Sequence, residues 1–174
     1  MGGYLSNSGS QAQNNLPDPY IRWKPEKPKG GDVVLIPVDD SSHAETAFDW
    51  YVRHMHKPSN TVRLLYCVDM RYTSCYNLKG KDFKDELEEK KRTASYLSEK
   101  YYKKLSDFGV LGSVQTFVGS PGEVILDHAI RTNTSAIIMG SRNLGLIRRT
   151  LLGSISCYVV NHSKVPVTIV PCEA

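Results

Sequence analysis

The sequence predicts an α/β fold: a single domain built on a five-stranded parallel sheet with helices on both faces. Short apolar runs rich in Val, Ile and Leu recur along the chain, and amphipathic helical patterns separate each run from the next. Strictly alternating strands and helices favour parallel pairing, and parallel strands buried on both faces can be apolar throughout. At 174 residues, with 40% hydrophobic content, the chain suits one domain with its own core.

Composition excludes several classes of function. The net charge of +4 is spread without the lysine clusters or interleaved aromatic residues of a nucleic-acid surface, so we expect no nucleic-acid partner. No apolar run approaches the roughly 18 residues of a membrane span, and the polar N-terminus has no apolar core of a secretory signal. The 4 cysteines include no CxxC pair and favour a reducing compartment. We expect a cytoplasmic protein without a transmembrane segment.

The first part of the chain divides into an arm and the start of the domain. Residues 1–31 are rich in Gly, Ser, Asn, Pro and Lys without periodicity, and are predicted to be a flexible N-terminal arm. The folded domain is predicted over residues 32–174. It begins with a strand at Val33–Val38, after which Ser41 or Ser42 caps a helix with apolar residues at helical spacing.

A second strand is predicted at Thr61–Val68, and a long helix over roughly Asp82–Ser106. One face of this helix is apolar and the other is charged. Three pairs of opposite charge have i,i+4 spacing: Glu86 with Lys90, Glu88 with Arg92, and Glu99 with Lys103. Such pairs are typical of a solvated helix surface.

The remaining elements complete the alternation. A third strand is predicted at Ser113–Val118, followed by a short helix from Pro121 to near Asn133. A fourth strand at Ser135–Gly140, a fourth helix at Ser154–His162 and a fifth strand at Val165–Val170 follow. Ligands of such sheets bind beyond the carboxyl ends of the strands, where the strand order reverses.

The segment Met139–Ser156 has the composition of a phosphate-binding loop. It leaves a strand at Gly140 and enters a helix at Gly153 and Ser154, where glycines allow close backbone approach and exposed N–H groups attract anions. Three arginines lie between the two glycines: Arg142, Arg148 and Arg149. The alternative is that the glycines only end a strand and begin a helix. The arginines favour phosphate binding.

Asp39 follows the first strand and has two interpretations. It is either a turn or helix-capping residue, or a carboxylate that accepts a hydrogen bond from a ribose hydroxyl. Taken alone it favours the first interpretation. Opposite the glycine-containing segment, the two interpretations are evenly balanced.

The 5 histidines do not predict a metal site. His54 and His56 fall on different faces of their helix, and His43, His128 and His162 are scattered. A single histidine near a helix end is usually a surface residue, so we expect these three at the surface. The chain also lacks the GxGxxG, GxxxxGK[ST], GxSxG and HExxH motifs. We therefore assign no metal ligand and no catalytic residue.

Three segments together resemble the universal stress protein family: Val33–Ser42 (VVLIPVDDSS), Gly119–Glu123 (GSPGE) and Gly140–Ser154. The resemblance covers about residues 32–171. ATP-binding members share the pattern G-x2-G-x9-G-[ST], and this chain matches it except that Asn143 stands at the second glycine.

The resemblance implies a Rossmann-like fold of the adenine-nucleotide alpha-hydrolase type. It implies ATP or AMP as ligand, with Mg²⁺ as a candidate companion of the phosphates. Adenine is expected near the end of the second strand, ribose near the end of the first, and the phosphates against the glycine-containing segment. The predicted nucleotide-binding residues are Pro37, Val38, Asp39, Cys67, Val68, Met139, Gly140, Ser141, Arg142, Asn143, Gly153, Ser154, Ile155 and Ser156.

The resemblance favours a homodimer, joined through the fifth strand, that uses the nucleotide as a conformational or signalling ligand in the stress response. One alternative is a scaffold of the same fold that has lost the nucleotide. Asn143 keeps this alternative open, because its side chain could either occupy phosphate space or donate a hydrogen bond to the phosphate. A slow ATPase ranks third, since only Asp39 is available as a general base or metal ligand.

The first six residues, Met1–Ser6, match the N-myristoylation pattern M-G-x-x-x-[ST], with Gly2 as the acceptor. One acyl chain supports only marginal membrane binding. Four basic residues could add a weak second signal: Arg22, Lys24, Lys27 and Lys29. The pattern predicts weak peripheral membrane association if the glycine is acylated; the alternative is an unmodified arm.

Overall fold

A computed structural model describes residues 30–69, 81–141 and 152–172, with only the backbone for 81–83. Within these ranges the chain forms five parallel strands and four helices. The strands are β1 (Val33–Val38), β2 (Thr61–Val68), β3 (Gly112–Val118), β4 (Ala136–Ser141) and β5 (Val167–Pro171). The helices are α1 (Ser42–His54), α2 (Lys81–Asp107), α3 (Pro121–Arg131) and α4 (Ser154–His162). The predicted fold class is confirmed. The predicted arm lies outside the described residues, apart from its last two.

The strands are arranged in the order β3-β2-β1-β4-β5. Helices cover both faces and enclose two separate cores. On one face α1 and α2 pack over Val34, Ile36, Leu64 and Ile138. On the other, α3 and α4 contribute Ile125, Ala129 and Val159 to a core with Leu35, Leu65, Ile137 and Met139. Successive residues of β1, such as Leu35 and Ile36, therefore point into opposite cores. Because both faces of the strand are buried, the strand is apolar throughout.

The strand order reverses at β1, where the sheet opens. All six residues of β1 pair with β2, up to Val38 opposite Tyr66. Its pairing with β4 is limited to Val34 with Ala136 and Leu35 with Ile137. The carboxyl ends of these two strands are therefore not joined by the ladder. A gap at this position is the usual location of a ligand site in an open α/β sheet.

Several boundaries differ by one or two residues from those the sequence predicts, and two of these differences have a local cause. β5 begins at Val167 rather than Val165, because Val165 is held in a turn in which the Ser163 hydroxyl donates to its carbonyl at 2.7 Å. α3 ends at Arg131, and Asn133 beyond it has a positive φ of 50°, which asparagine tolerates better than most residues.

The long helix α2 has the predicted division into an apolar and a charged face. Leu97, Tyr101 and Leu105 are buried. Lys90 lies 3.5 Å from Glu86, and Arg92 lies 3.7 Å from Glu88, as predicted. The third pair differs, since Lys103 lies 4.0 Å from Asp107 one turn further along the helix.

Candidate functional site

A cleft of about 440 Å³ lies where the carboxyl ends of β1 and β4 separate. Its volume falls within the range of small-molecule sites, roughly 300–1,000 Å³. Ten predicted nucleotide-binding residues line it: Pro37, Val38, Asp39, Cys67, Met139, Gly140, Gly153, Ser154, Ile155 and Ser156. Four distant segments of the sequence are thus brought together around one cavity.

The other four predicted residues do not line the described cleft. Val68 is buried, with 7% of its surface exposed, and its carbonyl accepts a hydrogen bond from the Gly119 N–H at 3.1 Å. Ser141 ends β4 just beyond the cleft wall. Arg142 and Asn143 lie outside the described residues, as do Arg148, Arg149 and Gly2.

Asp39 fills the turn between β1 and α1. Its Oδ1 accepts the Ser41 N–H at 3.0 Å and also accepts the Ser41 hydroxyl. The same hydroxyl oxygen accepts the Ala44 N–H at 3.3 Å, so Ser41 caps α1. The turn interpretation of Asp39 is therefore confirmed. Because Asp39 also lines the cleft, this role is compatible with a ligand contact.

The end of β2 forms another side of the cleft. The Cys67 thiol donates to the Gly119 carbonyl at a sulfur–oxygen distance of 3.4 Å, which joins the ends of β2 and β3. Tyr66 also lines the cleft, and burial, together with the negative charge of Asp39, raises the pKa of its hydroxyl. Tyr66 therefore stays neutral near pH 7 and can act as a hydrogen-bond donor.

The two glycines of the predicted phosphate loop have different surroundings. A β-carbon added at Gly140 would lie 2.2 Å from the main-chain oxygen of His43, so β4 packs directly on the first turn of α1 there. A β-carbon added at Gly153 would meet no atom of the described residues within 4 Å. Gly153 also has an ordinary backbone, with a φ of −56°. Neither packing nor conformation explains why residue 153 is a glycine.

Gly153 is the N-cap of α4 and provides no side-chain cap for the helix. The first turn contains no acidic residue. The main-chain N–H groups of a first turn carry partial positive charge, and they attract anions when no side chain accepts from them. Since Ser154, Ile155 and Ser156 line the cleft, the start of α4 is oriented toward its interior. The start of α4 therefore presents main-chain hydrogen-bond donors to the cleft.

The surface positions expected for three histidines are only partly observed. His162 is exposed, as predicted. His128 is only 7% exposed, because it lies on the sheet-facing side of α3 between Ile125 and Ala129. His43 is half-buried and lines the cleft. The surface expectation is wrong for His128, which is buried in α3, whereas His43 is half-buried at the wall of the cleft.

Ion pairs join α1 to α2 beside the cleft. Lys100 contacts Glu45 at 2.7 Å and Asp40 at 3.0 Å, and Lys104 contacts Asp49 at 2.8 Å. The hydrogen bond from Lys100 lowers the pKa of Glu45. These contacts pair the acidic side chains of α1 and its preceding turn with lysines of α2.

Nine residues that line the cleft are not among the predicted nucleotide-binding residues, and they include His43, Tyr66 and Lys90. Tyr66 directly precedes a predicted residue, and its position at the end of β2 could have indicated its role. Lys90 comes from the amino-terminal half of α2, and only the path of that helix brings it to the cleft.

The described residues contain neither a cluster of metal ligands nor a membrane-spanning helix. No three His, Cys, Asp or Glu side chains are grouped as metal ligands within residues 30–69, 81–141 and 152–172. Over the same part of the chain, no helix has both the length and the apolar character needed to span a membrane.

Comparison with known sequences gives one consistent family. The sequence model of the universal stress protein family matches residues 32–171. The universal stress protein Sll1388 of Synechocystis is 26% identical over 151 residues, which cover 81% of this chain and 98% of that protein.

Comparison with solved structures gives the same fold. The hypothetical protein MJ0577 is 29% identical with a TM-score of 0.68, and the match covers 82% of this chain and 97% of MJ0577. A universal stress protein family protein of Arabidopsis thaliana, solved with AMP bound, is 22% identical with a TM-score of 0.64. That match covers 82% of this chain and 93% of the Arabidopsis protein.

Proposed function

Because this chain belongs to the universal stress protein family, we propose that it binds an adenine nucleotide, ATP or AMP, in the cleft between β1 and β4. In this proposal the nucleotide is a conformational or signalling ligand in the stress response. The observation that carries the proposal is Gly153 at the start of α4, whose side-chain position is open space among the described residues.

The proposed orientation of the nucleotide is the one that the resemblance to the universal stress protein family implies, placed in this cleft. The adenine lies at the end of β2 beside Cys67, and the ribose lies at the end of β1 beside Val38 and Asp39. The phosphates lie against the first turn of α4, where open space at Gly153 lets them approach the main-chain N–H groups. A Mg²⁺ ion, where present, enters with the phosphates. The AMP bound to the Arabidopsis relative supports this class of ligand.

We favour binding over hydrolysis because Asp39, which lines the cleft together with Asp69 and is the predicted candidate for a general base, is already engaged. Asp39 accepts both the N–H and the hydroxyl of Ser41, which fixes its orientation within the turn. A general base has to reach an attacking water with a lone pair that is available. A phosphate-release assay therefore tests the ATPase alternative, and we expect no turnover above background.

The experiment that tests the proposed function identifies the nucleotide directly. Purified protein is denatured, and any released small molecule is identified by mass. Stripped and refolded protein is then titrated with ATP, AMP and GTP by calorimetry. We expect adenine nucleotide to be released and rebound, with GTP bound more weakly. Absence of binding in both arms would overturn the proposal and favour the scaffold alternative.

A variant at Asn143 further distinguishes nucleotide binding from the scaffold alternative. If a positive φ is required at this position, asparagine costs about 1 kcal/mol or less, so strain alone reduces affinity less than about tenfold. We expect Asn143→Gly to preserve or tighten ATP binding. Binding that appears only in Asn143→Gly would favour the scaffold alternative for the natural chain.

We also propose a homodimer joined through β5. This strand pairs with β4 on one side and forms an edge of the sheet. Edge strands of apolar composition are usually covered or paired, and pairing with a second copy extends the sheet.

Acylation of Gly2 remains a separate proposal of weak membrane association. Its test is intact-mass analysis of protein made with and without an N-myristoyltransferase. A gain of one myristoyl group only with the enzyme supports the proposal. Unchanged mass in both preparations contradicts it.

A further inference from the structure

The cleft wall contains a polar group whose bonding is incomplete. Nδ1 of His43 is buried from solvent and has no hydrogen-bond partner among the described residues. A buried polar atom without a partner is unfavourable, and native proteins contain few of them. His43 is also half-buried and lines the cleft, so its side chain is within reach of a molecule bound there.

The position of His43 relative to the main chain of β4 is fixed. A β-carbon on Gly140 would lie 3.1 Å from the Cβ of His43, so the imidazole begins directly beside the Gly140 backbone. The proposed phosphate position, against the first turn of α4, lies in the same cleft that Gly140 and His43 line. Rotation of the ring about its Cβ–Cγ bond is soft, because such sp³–sp² torsions have broad minima. The ring can therefore turn a nitrogen toward a ligand without movement of the backbone.

On the basis of the proposed function, we infer that His43 is a phosphate-sensing residue. When a nucleotide binds, the imidazole of His43 donates a hydrogen bond to one of its phosphate oxygens. In the nucleotide-free protein this bond is missing. Binding supplies it at the first turn of α1. Since α1 is tied to α2 by the ion pairs of Lys100 and Lys104, the same contact connects nucleotide occupancy to the helical layer on that face.

This inference makes a prediction about stability as well as affinity. Leucine at residue 43 fills a similar space without a buried nitrogen, so His43→Leu should melt at a higher temperature than the natural protein when both are free of nucleotide. It should also lose the phosphate contact. If His43 only packed α1 against β4, its replacement by leucine would not raise the melting temperature while weakening nucleotide binding.

The test compares His43→Leu, His43→Gln and the natural protein by calorimetry with ATP, AMP and adenosine. The matched control is His54→Leu, an exposed histidine in the last turn of the same helix. We expect His43→Leu to bind ATP and AMP about tenfold or more weakly, since a hydrogen bond to a charged group is lost. Adenosine affinity should be unchanged. Glutamine retains a donor, so His43→Gln should recover part of the lost affinity.

The outcomes separate this inference from the proposed function. If the natural protein binds ATP and His43→Leu binds it equally well, the role of His43 is overturned and the proposed function stands. If adenosine affinity falls by the same factor as ATP affinity, the contact is to the nucleoside and the phosphate assignment is overturned. If the natural protein binds no nucleotide, both are overturned.

Discussion

Gly140 and His43 are in direct main-chain contact: a β-carbon at residue 140 would lie 2.2 Å from the His43 carbonyl oxygen. The end of β4 can therefore pack on the first turn of α1 only if residue 140 has no side chain. This contact forms one wall of the cleft and holds β4 and α1 at a fixed separation. It gives Gly140 a structural role whether or not a ligand is bound.

We expect Gly140→Ala to destabilise the fold. The neighbouring atom is main-chain carbonyl oxygen rather than a flexible side chain, so the strand or the helix has to shift. Overpacking of this kind costs typically about 1–3 kcal/mol, which urea denaturation measures as a lower midpoint at an unchanged slope. Gly153→Ala is the matched control, because its β-carbon meets no atom within 4 Å in the part of the chain that the structure describes. Equal stability of the two variants would contradict the packing role.

The two glycines also indicate how far the sequence can predict this site. The repeating apolar runs predict five strands and their parallel pairing, because that pattern depends on local periodicity and on burial of both faces. The motif identifies residues 140 and 153 equally. Only the tertiary packing reveals that one glycine accommodates the main chain of His43 and the other borders open space.

The histidines illustrate the same limit. His128 follows Ile125 by three residues and precedes Ala129, which is the spacing of the buried helix face, so its burial could have been predicted from periodicity. His43 lies in the first turn of α1, where the pattern is still ambiguous. Its place on the cleft wall depends on how α1 packs against β4, which no local pattern specifies.

His128 makes the stability of the domain depend on pH. Burial lowers the pKa of its imidazole, and the positive charge of Arg63 on β2 lowers it further, as does Arg131, while Asp127 acts in the opposite direction. Phe117 on β3 provides an uncharged neighbour, with its ring centroid 5.0 Å away. The folded state therefore holds His128 neutral at a pH where the unfolded chain, with a pKa near 6.5, already binds a proton.

As pH falls below about 6.5, the unfolded state takes up the proton first and the fold loses stability. Above that pH both states are neutral and the penalty disappears. We expect His128→Gln to reduce the loss of stability between pH 7.5 and pH 5, measured by urea denaturation at each pH. Some loss should remain, because burial also lowers the pKa of His56. His162→Gln, at an exposed position, is the control. An undiminished pH dependence in His128→Gln would contradict this assignment.

The proposed dimer is tested at its edge strand. Val167 opens β5 and pairs with Ile137 of β4. A charge at this position opposes pairing with a second copy, so we expect Val167→Asp to be monomeric by light scattering at micromolar concentration. The matched control is Val118→Asp at the end of β3, the opposite edge strand, where Val118 is 58% exposed. Circular dichroism has to confirm that both variants are folded. A natural protein that is monomeric, or a folded Val167→Asp that remains dimeric, would exclude this interface.

Gly153 provides the sharpest test of the phosphate position, because the fold itself does not require this glycine. Its φ is −56° and its side-chain position is open, so valine fits the backbone but extends into the proposed phosphate space. Hydrogen bonds to charged groups contribute about 1.5–3 kcal/mol each, and losing them lowers affinity roughly ten- to more than a hundredfold. We therefore expect Gly153→Val to eliminate measurable ATP binding in calorimetry while its melting temperature stays close to that of the natural protein. Asn161→Val, on the exposed face of the same helix, should bind ATP normally. If Gly153→Val binds ATP with full affinity, the phosphates do not lie against the first turn of α4.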